Sequence, residues 1–294
     1  ASLDRTALIA RVMRILAADW WARRRPAPTL ELAVVDDAGI TFSFADPPDA
    51  APAGLTHDAG RIRASWDALA TLPDARHPVA YPALVTLGAD DDGRLVMVDL
   101  CAAGVLGVRG ASAEAISAML VELTCSPWSD ELSVRAVTPD DRFVRAAAVE
   151  EVRCLPDVAS GLREVERQAA QRRGLLELCG DAYDVLRLDP DRADAWAPWV
   201  AVFERPVTAE QLARLEQAAE AERLGLAVVV GVTDDQAIGA GAWSVSDDER
   251  PVGVLEPEGL TLAAQTIPRH ALEAVATCQA IGTERAVHPH QRFA

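Results

Sequence analysis

"GVLGVRGASAEAISAML", residues 104–120, decides how the rest of the chain is read. An apolar run ends in glycines, and a small-residue turn then opens an amphipathic stretch. That succession of strand, turn and helix is the frame of a phosphate-binding loop. A working loop follows G-x-x-x-x-G-K-[ST]: backbone amides cradle phosphates, the Lys reaches the β- and γ-phosphates, and the hydroxyl holds Mg²⁺. Laid from Gly107, the template puts Ser112 at the second Gly, Ala113 at the Lys and Glu114 at the Ser/Thr. All 28 basic residues of the chain are Arg, so no lysine stands anywhere to fill the role. Gly107, Gly110, Ser112, Ala113 and Glu114 are therefore expected to form a vestigial nucleotide loop. Glu114 has the wrong sign for phosphate oxygens, yet an acid suits the first turn of a helix.

A second stretch, "WVAVFERPV" (199–207), reads as an apolar strand ending in Phe203-Glu204. A phosphoryl-transfer site places a metal-holding Asp and a water-polarising carboxylate at such a strand end. Here Phe203 takes the place of the Asp and only Glu204 remains, a vestigial Walker B. Losing one electrostatic donor from an active site costs about 10²–10³ in rate, and here the cation and the metal-holding Asp are both missing. No catalytic residue, metal or cofactor is expected.

Working outward, 294 residues suffice for one large or two ordinary domains. Half are hydrophobic and a quarter charged, as in a globular protein. The net charge of −17 opposes nucleic-acid binding, which needs cations to neutralise phosphates. Arg23-Arg24-Arg25 complements the dipole at a helix end. Cys101, Cys125, Cys154, Cys179 and Cys278, spread through apolar segments without C-x-x-C spacing, read as reduced core thiols of a cytoplasmic protein. His288 and His290 lack a third metal ligand. No apolar run is long enough to span a membrane. The chain begins at Ala1 without a Met, which leaves open that it is a fragment, and any membrane anchor would lie outside this segment.

Residues 7–24 predict a helix with Leu8, Val12, Ile15 and Leu16 on one face, ended by Pro26 and Pro28. Two strands follow around a turn at Asp36–Gly39, then a Pro- and Gly-rich loop over 45–64. These pieces predict an N-terminal α+β lobe over 1–78. From Tyr81, a hairpin turning at Asp90–Gly93 leads into alternating strands and helices. Strands are expected at 104–108, 132–137, 199–203 and 226–232, with helices at 112–124, 157–178 and 208–224. Near-continuous apolar strands alternating with helices predict an α/β domain with a mainly parallel sheet over 79–282. "GAWSVSD", "VGVL" and "LTLAAQ" read as short antiparallel additions, followed by a helix near 269–281 and a loose tail, 283–294. Trp128, Trp196 and Trp199 read as core plugs. Trp20 and Trp21 point about 100° apart on one helix, so one of them is expected to mark an interaction surface.

The order of these pieces resembles FtsK/HerA-type ATPases. "VMVDLCAAGVLGVRGASAEAISAMLVELTCSPWSDELSVRAV" is similar to their P-loop strand and helix, "GLREVERQAAQRRGLLEL" to the helix after it, and "WVAVFERPVTAEQLARLEQAAEAERLGLAVVVGVT" to the Walker B strand and its successors. Phrases such as "LTCSPWSDELSV" and "VLEPEGLTLAAQTIP" also resemble the central cytoplasmic region of large actinobacterial proteins carrying LysM and bacterial transcriptional activator (BTAD) domains. The FtsK/HerA resemblance covers roughly residues 80–270; the resemblance to the LysM- and BTAD-bearing proteins implies a regulatory or assembly module, typically part of a membrane-anchored protein. The expectation is a pseudo-ATPase-like scaffold acting by protein–protein contact or self-association. The alternatives are a nucleotide sensor without hydrolysis, an NTP-driven translocase in which an Arg such as Arg109 replaces the lysine, and a DNA-associated regulator.

Overall fold

The structure, a computed structural model, describes residues 5–129, 132–138, 152–220, 224–239, 241–257, 259–268, 271, 272 and 274. The chain opens with helix α1 (Arg5–Ala22), strands β1 (Leu30–Val35), β2 (Gly39–Phe44), β3 (Thr56–Asp58) and β4 (Arg61–Ser65), and helix α2 (Trp66–Thr71). The turn between β1 and β2 is set by Asp36, whose carboxylate accepts the amides of Ala38 at 2.7 Å and Gly39 at 2.8 Å. Leu8, Val12, Met13, Leu16 and Trp20 of α1 pack on Ile40, Phe42, Phe44 and Ile62 of these strands. At the end of α1, Arg23 pairs with Asp19 and Arg25 with Asp49, so the basic run is spent within the lobe.

The segment 45–64 is not all loop, as its composition suggested. Ile62 and Ala64 are buried and alternate with exposed Arg61, Arg63 and Ser65, and this short two-residue period makes a strand. Ala59 and Gly60, both at positive φ, form the tight turn from β3 into β4.

Strands β5 (Leu84–Ala89) and β6 (Leu95–Asp99) form the hairpin expected at Asp90–Gly93. β6 also pairs antiparallel with β1, so the sheet runs on through residue 78, the boundary expected between the lobe and the α/β domain. Then follow helix α3 (Leu100–Ala103), strand β7 (Val105–Gly110), helix α4 (Ser112–Cys125), strands β8 (Ser133–Val137) and β9 (Val152–Cys154), and helices α5 (Val158–Cys179) and α6 (Tyr183–Leu186). The described chain closes with β10 (Trp199–Phe203), helix α7 (Ala209–Glu220), β11 (Leu226–Gly231), β12 (Gly241–Val245), β13 (Val252–Glu256) and β14 (Leu260–Ala264).

The strands form one sheet in the order β3-β4-β2-β1-β6-β5-β14-β13-β12-β7-β11-β10-β8-β9. The run from β12 to β9 is parallel, and the rest is antiparallel. The fold is α/β, with the parallel strands at one end of the sheet and covered by helices on both faces. Alternate residues of β10 and β11 show why both strands are apolar throughout. Val200, Val202, Ala227 and Val229 pack with α4, whereas Trp199, Ala201, Phe203, Val228 and Val230 pack with α5 and α7. "GAWSV" is not an antiparallel addition: β12 lies parallel to β7 and antiparallel only to β13. Trp243, fully buried in β12 and paired with Leu255, fits because its indole lies over Gly253, the diagonal neighbour on β13, which has no side chain.

The thiols do not lie in the core as expected. Cys125, Cys154 and Cys179 are exposed, and Cys101 is half-buried. Cys278, His270, His288, His290, most of the helix expected at 269–281 and the tail 283–294 lie outside the described residues.

Candidate functional site

The carboxyl ends of parallel strands are where open α/β sheets bind ligands. Here that crest joins Val245, Gly110, Gly231, Phe203-Glu204 and Val137-Thr138. Gly107 is not a loop residue. It lies inside β7 between Val230 and Ala242, and a Cβ there would meet Ile238 Cδ1 at 2.2 Å. Gly110 ends the strand at φ +70°, with Val245 O only 1.8 Å from where its Cβ would stand. One residue, Ala111, then separates strand from helix. Its amide donates to Val245 O at 3.0 Å, so β12 closes the turn that a phosphate cradle would open.

Ser112, Ala113 and Glu114 form the first turn of α4. Ala111 offers that turn no side-chain cap, and Glu114 is exposed. Arg109 does not reach back as a lysine substitute. Its guanidinium donates to Gln236 O at 2.7 Å and lies 3.3 Å from Glu256.

Phe203 is fully buried, with Gly161 of α5 allowing the helix to rest against its ring. An Asp in its place would sit in an apolar core. The Glu204 amide donates to Val137 O at 3.1 Å, and Thr138 Oγ1 donates to its carboxylate. Since β11 stands between β7 and β10, Glu204 and Gly110 are two strand spacings apart, about 10 Å measured across the sheet, and are staggered along it as well. The crest thus brings the two vestigial motifs to one edge but keeps them apart. Among the described residues, no group of three His, Cys, Asp or Glu side chains could hold a metal ion.

Trp20 is not a surface residue. It is 2% exposed and meets Phe44 and Tyr81 edge to face at 6.1 and 6.0 Å. Trp21 is the outward member of the pair, half-buried under Arg24, whose guanidinium carbon lies 4.5 Å from the ring centroid. Trp128, Trp196 and Trp199 are buried, as their positions predict.

A polar cluster that sequence reading missed lies on the other side of the parallel strands, where the lobe meets the body. Asp99 caps α3 by accepting the Cys101 amide at 3.2 Å. Burial pushes its carboxyl up to about 6, against the pull of Arg187. Burial also raises the thiol of Cys101 and the phenol of Tyr183. Arg187 is buried and donates to Val79 O, and its guanidinium carbon stands 6.0 Å from the Tyr183 ring centroid. Only the short cap at Asp99 was open to a local reading; the rest is assembled from distant segments.

No family model matches the chain, and no curated protein matches it. Among solved structures it is similar to the pCW3 conjugation coupling protein TcpA in its monomer form with ATPγS, at 12% identity and a TM-score of 0.45, over 92% of this chain and 99% of that one. It is also similar to the cytoplasmic domain of the type VII secretion ATPase EccC of Thermomonospora curvata, at 16% identity and a TM-score of 0.44, over 68% of this chain and 27% of that one. A third is EssC (ATPases 2 and 3) from Geobacillus thermodenitrificans, at 11% identity and a TM-score of 0.48, over 71% of this chain and 50% of that one. Among the described residues, no helix is long and apolar enough to cross a membrane.

Proposed function

We propose that this chain is a non-catalytic, pseudo-ATPase-like scaffold or regulatory module that works through protein–protein contact or self-association. The observation that carries the reading is the closed turn between β7 and α4. Val245 O takes the Ala111 amide and fills the space beside Gly110, and Ala113 stands where a catalytic lysine is required. The carboxylate that remains, Glu204, is bonded to Thr138 and sits two strands away. A cradle, a cation and a metal-holding pair are each needed for phosphoryl transfer, so their joint loss argues against turnover.

The wider setting we propose is the cytoplasmic part of a larger actinobacterial membrane-anchored regulator, on the resemblance of phrases such as "LTCSPWSDELSV" and "VLEPEGLTLAAQTIP" to LysM- and BTAD-bearing proteins. One observation favours a second reading, a nucleotide sensor. The first turn of α4 has no side-chain cap, and free helix-start amides attract anions.

Calorimetric titration with ATP and Mg²⁺, beside a thermal-shift scan and light scattering, separates the two. A scaffold gives no saturable heat, no shift at millimolar nucleotide and no phosphate release. Ligand at about 100 Kd would stabilise the fold by ~2.7 kcal/mol, a shift that would establish the sensor instead. Phosphate release that disappears in Arg109→Ala would overturn both in favour of a translocase.

A further inference from the structure

Arg187 and Tyr183 are 5% and 2% exposed, and each carries a polar atom without a protein hydrogen-bond partner: Arg187 Nε and Tyr183 Oη. Both residues line one cavity of about 20 Å³, together with Asp99, Ala80, Tyr81 and Gly225. Gly225, at φ +63°, admits the phenol. A Cβ there would stand 2.3 Å from Tyr183 Oη. A polar cavity needs about 10–15 Å³ and two or more polar partners to hold a water molecule, and both conditions are met here. The walls come from the lobe (Ala27, Leu30), the segment before β5 (Tyr81), the residue before α3 (Asp99), α6 with the residue after it (Tyr183, Arg187) and the entry to β11 (Gly225).

We infer that this cavity is a binding site for a single ordered water, which accepts from Arg187 Nε and bonds Tyr183 Oη. Both partners belong to α6 and the residue after it, so the water steadies the guanidinium beside its direct bond to Val79 O. Asp99, on the same wall, supplies the negative charge that a buried guanidinium requires, so the site takes a neutral molecule and not an anion.

The test is a crystal structure of the full chain at a resolution that shows ordered waters, with a second crystal soaked in bromide. One peak within hydrogen-bonding distance of both Tyr183 Oη and Arg187 Nε, without bromide anomalous signal, is expected. In Tyr183→Phe the same peak should fall to half its height or less while the Arg187 bond to Val79 persists. Three results would overturn the inference: Tyr183 Oη bonded directly to a protein acceptor with no peak, a bromide peak in the cavity, or an undiminished peak in Tyr183→Phe.

Discussion

Glu122 of α4 holds Thr86 of β5 with both carboxylate oxygens, taking the Thr86 amide at 2.7 Å and its hydroxyl at 2.8 Å. The pairing of β5 with β6 slips between Thr86 and Gly88, so the ladder is irregular where the carboxylate enters. The helix that follows the loop-like turn is thereby fastened to the antiparallel half of the sheet. Burial raises the Glu122 carboxyl, and the two Thr86 bonds oppose that rise. Glu122→Ala should leave a covered amide unpaired and cost about 1–3 kcal/mol, whereas Glu122→Gln keeps an acceptor and should cost less. Urea denaturation of both variants checks the order. Equal losses would mean that packing, not hydrogen bonding, sets the cost.

Asp99 gives a pH dependence of definite sign. Its folded value of about 6 lies above the ordinary 3.8, so the folded state holds the proton more tightly. The stability this contributes is fully present below about 3.8 and is lost as pH rises through about 6. At about 1.4 kcal/mol per unit, the swing is on the order of 3 kcal/mol. Other carboxylates titrate across the same range, so the difference between wild type and Asp99→Asn isolates the effect. The variant's stability relative to wild type should rise from pH 4 to pH 7 in denaturant titrations. A constant difference would remove Asp99 as the source.

The adjacent tryptophans of α1 should respond differently to truncation. Trp20 fills the lobe core between Phe44 and Tyr81, so Trp20→Ala should cost about 3–5 kcal/mol. Trp21 lies half-buried beneath Arg24, and Trp21→Ala should cost about 1 kcal/mol or less. Thermal unfolding of the two variants measures the contrast. Should Trp21→Ala also change the mass found by light scattering, the outward ring belongs to a self-association surface.

What the sequence makes legible follows from how local each signal is. β10 and β11 are buried on both faces, so their residues form unbroken apolar runs that need no partner to be recognised. β4 has only Ile62 and Ala64 to bury, too few to stand out among the prolines and aspartates before it. The direction of β12 is set by its neighbour β7, and nothing in "GAWSV" specifies a parallel partner. The same limit applies to the candidate site. The missing lysine and the Phe203 replacement are visible residue by residue. Closure of the turn by Val245, and the meeting of Asp99 with Tyr183 and Arg187, depend on segments distant in sequence.

That distinction has a direct test at Ala113. If the loop had lost only its charge, Ala113→Lys would return the missing cation and with it some affinity for nucleotide. Ala113 is half-exposed in the first turn of α4, so the longer side chain is accommodated without burying its ammonium. The geometry predicts failure, because Gly110 and Ala111 remain packed against Val245 O and cannot open toward a phosphate. Ala113→Lys should therefore fold with near wild-type stability and show no thermal shift with millimolar ATP and Mg²⁺. Saturable binding by this variant would mean that the turn opens at small cost and that the charge alone had been lost. Pairing it with Gly110→Ala separates the two contributions. A Cβ at φ +70°, 1.8 Å from a carbonyl oxygen, should destabilise the fold by about 2–4 kcal/mol, whether or not nucleotide is present.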